Sequence, residues 1–256
     1  MKDMQKTVLE AINHIISQHP QLAPVVESLA ADAQKKSAAD ANFLLALHRG
    51  LLAKSRSQLR QDLFVLHELN YKRGGYFVEF GATNGLDLSN TWLLEQEYGW
   101  QGILAEPARL WQADLAANRR RARIETKCVW KTTGASLEFN QAKAPELSTI
   151  NQFSSCDVHA QARDGGDTYS VETISLMDLL EKHGAPREID YLSIDTEGSE
   201  LEILQAFDFD KYRIHIVTCE HNYSPLREQL HALFTKSGYT RKYEQVSQFD
   251  DWYVKT

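Results

Sequence analysis

The sequence predicts an α/β protein with a doubly wound, mostly parallel sheet of seven strands that ends in an antiparallel hairpin. Short apolar runs alternate with helical stretches after Gly74 and Gly75, as repeated βαβ units require. Two neighbouring strand-like runs close the chain and have the pattern of a hairpin. The first 70 residues contain a single glycine, Gly50, and their apolar residues recur at helical spacing, so a helical appendage is predicted before the sheet.

The appendage is predicted to span residues 1–56, and the main domain residues 57–256. The helical spacing is clearest in the first of its apolar stripes, which contains Val8, Leu9, Ile12, Ile15 and Ile16. These stripes need a cover, and the sequence leaves open whether it is the main domain, a pocket or a second subunit. A homo-oligomer formed through these helices is therefore one expectation.

The predicted strands have the β-branched and aromatic content of buried strands. The parallel ones span Tyr76–Phe80, Gly102–Glu106, Ile124–Trp130, Ile189–Asp195 and His215–Glu220. A helix is predicted from Ser224 to Gly238, with Pro225 at its first position. The hairpin strands follow, at Tyr239–Gln245 and Trp252–Lys255. Residues 132–170 are predicted to be an irregular insertion that shapes the substrate site.

Composition and charge exclude several classes of protein. The chain has 28 Lys and Arg against 35 Asp and Glu, a net charge of −7, so it has no overall positive field to attract nucleic acid. No apolar run reaches the roughly 18 residues that a membrane span needs. Charged residues near Met1 argue against an export signal, and the unpaired spacing of Cys128, Cys156 and Cys219 argues against a disulfide framework. We therefore expect a cytoplasmic protein.

A small-residue turn after the first strand predicts a cofactor site. The segment from Val78 to Gly85 is an apolar strand that enters a turn, and Gly81 and Gly85 would let a ligand approach the backbone. It does not match the G-x-G-x-x-G fingerprint of dinucleotide-binding proteins. Glu79, on the strand, suits a cofactor with an ammonium group, which nicotinamide dinucleotides lack.

Three further strand ends carry acidic residues. Glu106 follows the second strand, where a carboxylate can accept both hydroxyls of a ribose. Asp195 and Glu220 end neighbouring strands, with His221 beside them. Asp195, Glu220 and His221 are predicted to remove a proton from an acceptor hydroxyl. Asp195 and Glu220 could also hold a divalent metal such as Mg²⁺, and the two roles are not exclusive.

Taken together, these motifs resemble the FkbM family of S-adenosylmethionine-dependent methyltransferases, which belongs to the Rossmann-like, seven-stranded class. The resemblance covers about residues 57–255. It rests on the segments SQLRQDLF at 57–64, FVEFGA at 77–82 with Gly85, SNT at 89–91, EP at 106–107, DTEGSE at 195–200, EHN at 220–222 and DDWYV at 250–254. Thr83 departs from the wider class, which often has a glycine at this position.

The resemblance implies methyl transfer from S-adenosyl-L-methionine, in most such proteins to an oxygen of a sugar, polysaccharide or other natural product. It implies that Glu106 binds the ribose. The other implied cofactor-binding residues are Gln58, Asp62, Glu79, Gly81, Ala82, Asn84, Gly85, Asn90, Cys128 and Val129. It places Asn90, Cys128 and Val129 at the nucleoside end, and Gln58 and Asp62 in a helix that closes over the cofactor.

Two other functions remain open at this point. One is an NAD-dependent oxidoreductase or epimerase, against which the missing third glycine and Glu79 count. The other is a cofactor-binding module without catalysis, with the N-terminal helices as its interaction surface. The acceptor is expected to be a small molecule or a glycan, and buried aromatic packing explains Trp252 and Tyr253 at least as well as contact with it.

Overall fold

A computed structural model describes residues 13–18, 20, 23, 51–118, 120–244 and 246–256. The strands are β1 (Tyr76–Phe80), β2 (Gln101–Ala105), β3 (Arg123–Glu125), β4 (Cys128–Trp130), β5 (Ser136–Gln141), β6 (Thr149–Ile150), β7 (Asp167–Ser175), β8 (Glu188–Ile194), β9 (Arg213–Glu220), β10 (Tyr239–Lys242) and β11 (Asp250–Lys255). From residue 51 onward the α-helices are α1 (Gln61–Glu68), α2 (Trp92–Tyr98), α3 (Arg109–Ala117), α4 (Leu176–Lys182), α5 (Glu200–Gln205) and α6 (Arg227–Lys236). Short 3₁₀ turns span Pro145–Leu147 and Asn151–Phe153.

A seven-stranded sheet with the order β10-β11-β9-β8-β1-β2-β3 forms the centre of the fold. The strands from β9 through β8, β1 and β2 to β3 pair in parallel, and β11 pairs antiparallel with both of its neighbours. The predicted α/β class is confirmed. The sheet is mixed, because β11 lies between β10 and β9 and runs antiparallel to both.

The core lies on both faces of this sheet. Val78 and Phe80 of β1 belong to one buried apolar cluster, and Phe77, which precedes them, belongs to the other. Because alternate residues of a strand point to opposite faces, both faces of the sheet are covered. Trp252 and Tyr253 are fully buried in these two clusters, so both are core residues.

The predicted third strand is wrong in its extent. Residues 124–130 form parts of two strands, of which β3 pairs with β2 in the large sheet and β4 pairs with β7 in a second sheet. Between them the Glu125 carboxylate accepts the backbone N–H groups of Thr126 and Lys127, each at 3.1 Å. This turn contains neither glycine nor proline, so the sequence did not indicate that the strand is interrupted here.

The predicted irregular insertion is wrong in part, because residues 136–141, 149–150 and 167–170 of this segment belong to strands β5, β6 and β7. A four-stranded sheet has the order β4-β7-β5-β6, with β5 and β7 paired antiparallel over six residue pairs. The inward side chains Phe139, Ile150, Val171 and Ile174 are buried in the first core cluster. The outward residues are mostly polar, and this composition led to the prediction of an irregular segment.

Smaller differences concern the C-terminal elements. The predicted helix begins two to three residues later than expected, at Arg227 with Leu226 as its N-cap, and Gly238 follows it with φ +77°. The strand predicted to reach Gln245 ends at Lys242, and residue 245 lies outside the described residues. The last strand begins at Asp250 and not at Trp252.

The described part of the first 56 residues packs on the main domain. Residues 13–18 are helical, and Ile15 and Leu52 are buried in the same cluster as Phe64 of α1 and Phe77 of β1. Most of the predicted N-terminal helices lie outside the described residues. Across the residues that the structure does describe, no helix combines the length and the apolar character needed to cross a bilayer.

Candidate active site

A cavity of about 220 Å³ opens at the carboxyl ends of the central strands. Its lining includes the residues that follow β1, β2, β8 and β9, together with residues of the small sheet and of the segment before α1. In a parallel sheet this edge is where ligands bind. The predicted site residues that line the cavity are Gln58, Glu79, Gly81, Ala82, Asn90, Glu106, Cys128, Val129, Asp195 and Glu220.

Asp62, Asn84, Gly85 and His221 do not line the cavity. Asn84 accepts the backbone N–H groups of Leu86 and Asp87 at 2.9 Å and so closes the turn beside the cavity. Gly85, at φ +72°, packs against Leu115, whose Cδ1 would lie 2.5 Å from an added Cβ. Both residues therefore shape the turn from outside the cavity.

Asp62 and His221 are buried behind the cavity wall. Asp62 accepts the Ser55 hydroxyl at 2.8 Å, and burial raises the pKa of this carboxyl to about 7. His221 accepts the Tyr223 N–H at Nδ1 (3.0 Å), and its Nε2 lies 3.8 Å from an Asp251 carboxylate oxygen. Burial lowers the pKa of His221, which favours the neutral imidazole.

Gly81 sets the floor of the cavity. It has φ +69°, and a Cβ at this position would lie 1.9 Å from the carbonyl oxygen of Asp195 on the neighbouring strand end. The turn after β1 can therefore lie against the end of β8 only with glycine at this position. This close approach leaves the space above the turn free for a ligand.

The Glu79 carboxylate organises the turn that follows β1. It accepts the Asn90 N–H at 2.7 Å, the Ser89 hydroxyl at 3.1 Å and the Thr91 hydroxyl. Burial raises the pKa of Glu79, and the nearby Arg120 guanidinium opposes this change. Glu79 thus fixes residues 89–91, which carry part of the cavity wall.

Glu106 has the geometry expected of a group that binds a ribose. Its two oxygens accept the N–H groups of Thr83 and Ala108, each at 2.8 Å. These bonds fix the carboxylate, and each oxygen retains a second lone pair for a ligand hydroxyl. Burial raises the pKa of Glu106 to about 7.

A cluster of carboxylates lies on the other side of Gly81. Oxygens of Asp195, Glu197 and Glu220 lie within 4.8 Å of one another. Removal from water raises the pKa of Asp195 to about 6 and that of Glu197 to about 9, and raises the pKa of Glu220 well above its ordinary value. Like charges this close favour retention of a proton or binding of a cation.

Sequence reasoning missed Arg163, which links the small sheet's connecting segment to this cluster. Its guanidinium is fully buried and donates to Asp157 at 2.8 and 3.0 Å, to Glu197 at 2.5 Å and to the Leu147 carbonyl at 2.8 Å. Glu197 also accepts the Asn222 side-chain N–H at 3.0 Å, and has φ +58°. The ion pair therefore holds Glu197 in a strained backbone conformation.

Gln61 and His159 are among the polar lining residues that the sequence did not assign to the site. Gln61 is the first residue of α1, three positions from the predicted Gln58. His159 is half-buried, and its side chain has no hydrogen-bond partner among the described residues. Gln61 lies in the segment SQLRQDLF at 57–64, which could have indicated it. His159 has no motif of its own, and only its position near Asp157 could have indicated it.

The wall beyond Glu106 is apolar. Cys128, Val129, Trp111 and Phe139 line this part of the cavity. Burial raises the pKa of the Cys128 thiol to about 12, so this side chain is neutral and acts as apolar surface. A flat heterocycle bound next to Glu106 would contact this wall.

The family model of the FkbM methyltransferase domain matches residues 79–254. This match covers more than half of the 256 residues. The chain belongs to this family of methyltransferases. The matched region begins within β1 and contains β2, β8 and β9 in full.

Other comparisons add little. A solved structure of the selenomethionine-substituted CurJ carbon methyltransferase is similar with a TM-score of 0.38 and 10% sequence identity, over 96% of this chain and 70% of that chain. The search of curated proteins found no match.

Proposed function

We propose that this protein is an S-adenosyl-L-methionine-dependent methyltransferase that methylates a hydroxyl oxygen of a sugar, polysaccharide or other natural product. The charge of the cavity carries the proposal. Its lining includes Glu79, Glu106, Asp195, Glu197 and Glu220, and no Lys or Arg among the described residues. Such a cavity favours a cationic ligand and disfavours the pyrophosphate of a nicotinamide dinucleotide.

The shape of the cavity also fits the cofactor. Gly81 leaves the space that a Cβ would fill, Glu106 offers two oriented oxygens, and the wall around Cys128 and Trp111 is apolar. We interpret the large sheet as the doubly wound, Rossmann-like sheet that the sequence predicts, with residues 57–256 as the methyltransferase domain and 1–56 as its appendage. A cytoplasmic location and self-association remain predictions.

The bound cofactor would supply an electrophilic methyl group on a sulfonium sulfur. The chain then has to orient the acceptor in line with that group and to take up the hydroxyl proton. We assign the second task to Asp195 and Glu220, which line the cavity beside Gly81. His221 was predicted to share this task, but its imidazole lies behind the wall, so a direct role would require it to move.

A divalent cation such as Mg²⁺ fits the donor set formed by Asp195 and Glu220, with Glu197 as a third carboxylate. Bound there, it would lower the pKa of an acceptor hydroxyl. Measuring methyl transfer before and after chelation with EDTA tests this part of the proposal. Full activity after chelation would remove the metal from it.

Calorimetric titration with S-adenosylmethionine, S-adenosylhomocysteine and NAD tests the proposed function. We expect micromolar binding of the two sulfur compounds and no binding of NAD. Glu106→Gln should weaken the binding of both sulfur compounds at least tenfold, because the ribose hydroxyls lose an ionised acceptor. Preference for NAD would contradict the proposal.

Glu125→Gln is the matched control for Glu106→Gln. Glu125 also lies at the carboxyl end of a parallel strand and accepts two backbone N–H groups, but it does not line the cavity. Its substitution should leave cofactor binding unchanged. Cofactor binding without turnover on any acceptor would instead favour the non-catalytic module.

A further inference from the structure

We propose that Arg120 is a positioning residue for cofactor binding, which acts on Glu79 through the hydroxyl group of Thr91. Arg120 does not line the cavity, and none of the motifs that carry the family resemblance contains it. Glu79, in contrast, lines the cavity. The inference rests on the proposed function, because the ligand in question is S-adenosylmethionine.

The guanidinium of Arg120 is buried against α2 and β1. Its Nε donates to the carboxylate of Glu95 in α2 at 2.6 Å, and both side chains are fully shielded from solvent. The guanidinium carbon lies 5.5 Å from the ring centroid of Trp92 in α2 and 5.7 Å from that of Phe77 in β1. A cation at such a distance is attracted to the face of an aromatic ring. These contacts hold the guanidinium in one place.

The other N–H groups of this guanidinium hold both ends of the segment 85–91, which follows β1. Nη1 donates to the Gly85 carbonyl oxygen at 2.5 Å, and Nη2 donates to the Thr91 hydroxyl at 2.8 Å. Leu88, between these ends, has φ +60°, a strained conformation that persists only where surrounding contacts fix the backbone. Residues 87–90 line the cavity. Because a guanidinium is planar and rigid, Arg120 fixes the two ends of a segment that forms part of the cavity wall.

Thr91 connects Arg120 to Glu79. Thr91 is the N-cap residue of α2, where a threonine side chain commonly accepts a backbone N–H of the helix, but its side chain makes no such bond. Its hydroxyl instead accepts from Arg120 and donates its one proton to the Glu79 carboxylate. Burial raises the pKa of Glu79, and the Arg120 charge opposes this rise. Arg120 therefore orients the Glu79 carboxylate through Thr91 and favours its ionised form.

The charge of Glu79 matters because S-adenosylmethionine carries a sulfonium and an ammonium group, which an ionised carboxylate in the wall attracts. Without Arg120, Glu79 would lose the charge that opposes its protonation. Among the described residues, Glu95 would keep one cationic partner, the exposed Arg121, whose Nε lies 3.8 Å from it. Buried carboxylates without a close cation take up protons or move towards water. Either change would weaken cofactor binding from behind the wall.

Calorimetric titration of the full chain with S-adenosylmethionine tests the inference. Arg120→Met should weaken binding at least tenfold. Thr91→Val, which keeps the size of the side chain and removes the hydroxyl, should weaken it at least fivefold, whereas Thr91→Ser, which keeps the hydroxyl, should change it less than twofold. Arg121→Met is the matched control, because Arg121 also contacts Glu95 but is exposed and makes no bond to the segment 85–91. Its substitution should leave binding unchanged.

A double variant separates positioning through Thr91 from general structural support. Arg120→Met combined with Thr91→Val should bind within twofold of Arg120→Met alone, because the two groups act together. A loss near the product of the two single losses, or normal binding by folded Thr91→Val, would overturn the inference. Thermal unfolding is measured first; if Arg120→Met does not fold, Thr91→Val and Thr91→Ser decide, because both keep the Arg120–Glu95 ion pair. Failure of the unmodified protein to bind S-adenosylmethionine would instead overturn the proposed function.

Discussion

Gly81 shows how one residue controls the relation between two strand ends beneath the cavity. Its φ is +69°, and an added Cβ would lie only 1.9 Å from the Asp195 carbonyl oxygen, so both the backbone conformation and the close contact require glycine. The role of Gly81 in the cofactor site was predicted from its position directly after an apolar strand. The site roles of Gln61, Arg163 and His159 were not predicted. The partner of Gln61, Asp250, is far away in sequence, and Arg163 and His159 lie in a segment that was predicted to be irregular.

Gly81→Ala is expected to lower the free energy of unfolding by about 3 kcal/mol or more, because a clash with backbone adds to the strain of a positive φ. Gly99→Ala is the control. Gly99 has φ +70° but no atom within 4 Å of an added Cβ, so only the conformational cost of about 1–2 kcal/mol remains. Urea unfolding of both variants measures the difference, and equal losses would contradict the contact with Asp195.

Glu106 also predicts how cofactor binding depends on pH. Burial raises the pKa of its carboxyl to about 7, and the ionised form is the better acceptor for ribose hydroxyls. Binding of S-adenosylhomocysteine should therefore strengthen between pH 6 and pH 8 and release protons in that range. Calorimetry in buffers of different ionisation enthalpy measures this release, and affinity that is constant across the range would contradict the role of Glu106.

At the scale of elements, the small sheet brings Arg163 to the acidic cluster. The strands of this sheet have inward apolar residues such as Phe139 and Val171. Their outward residues are polar, and the alternation of apolar and polar residues is weak. The parallel strands of the large sheet were easier to predict, since burial on both faces makes them continuously apolar. The turn at Glu125 could not be predicted, because a carboxylate forms it and not glycine or proline.

Arg163→Met is expected to destabilise the protein by about 3 kcal/mol or more, because Asp157 and Glu197 lose their buried cation. Lys131→Met, which removes an exposed ion pair with Glu202, is the control and should change stability little. Chemical unfolding of both variants measures the difference, and equal losses would contradict a stabilising role of the buried ion pairs.

For the whole molecule, buried carboxyls set the dependence of stability on pH. Burial raises the pKa of Asp62 and Glu106 to about 7 and that of Asp250 to about 8. In the unfolded chain these groups ionise near pH 4, so between pH 4 and pH 8 the folded state holds protons that the unfolded state has lost. Their stabilising contribution is complete below about pH 4 and is lost as the pH rises through 7 and 8.

The ligand-free protein should therefore unfold at a lower temperature at pH 8.5 than at pH 6, by about 5 °C or more. Asp62→Asn keeps a neutral group at one of these positions and should reduce the difference. Thermal unfolding followed by circular dichroism measures both proteins. A midpoint that rises from pH 6 to pH 8.5 would show that these carboxyls are ionised in the folded state.

The central claim is that the cavity above Gly81 holds an adenosyl sulfur cofactor whose ribose is bound by Glu106. A crystal structure of the protein with S-adenosylhomocysteine tests it most directly. We predict both ribose hydroxyls within hydrogen-bond distance of the Glu106 carboxylate and the adenine against Cys128 and Val129. A ligand bound elsewhere, or a Glu106 carboxylate with no contact to the ribose, would contradict the account.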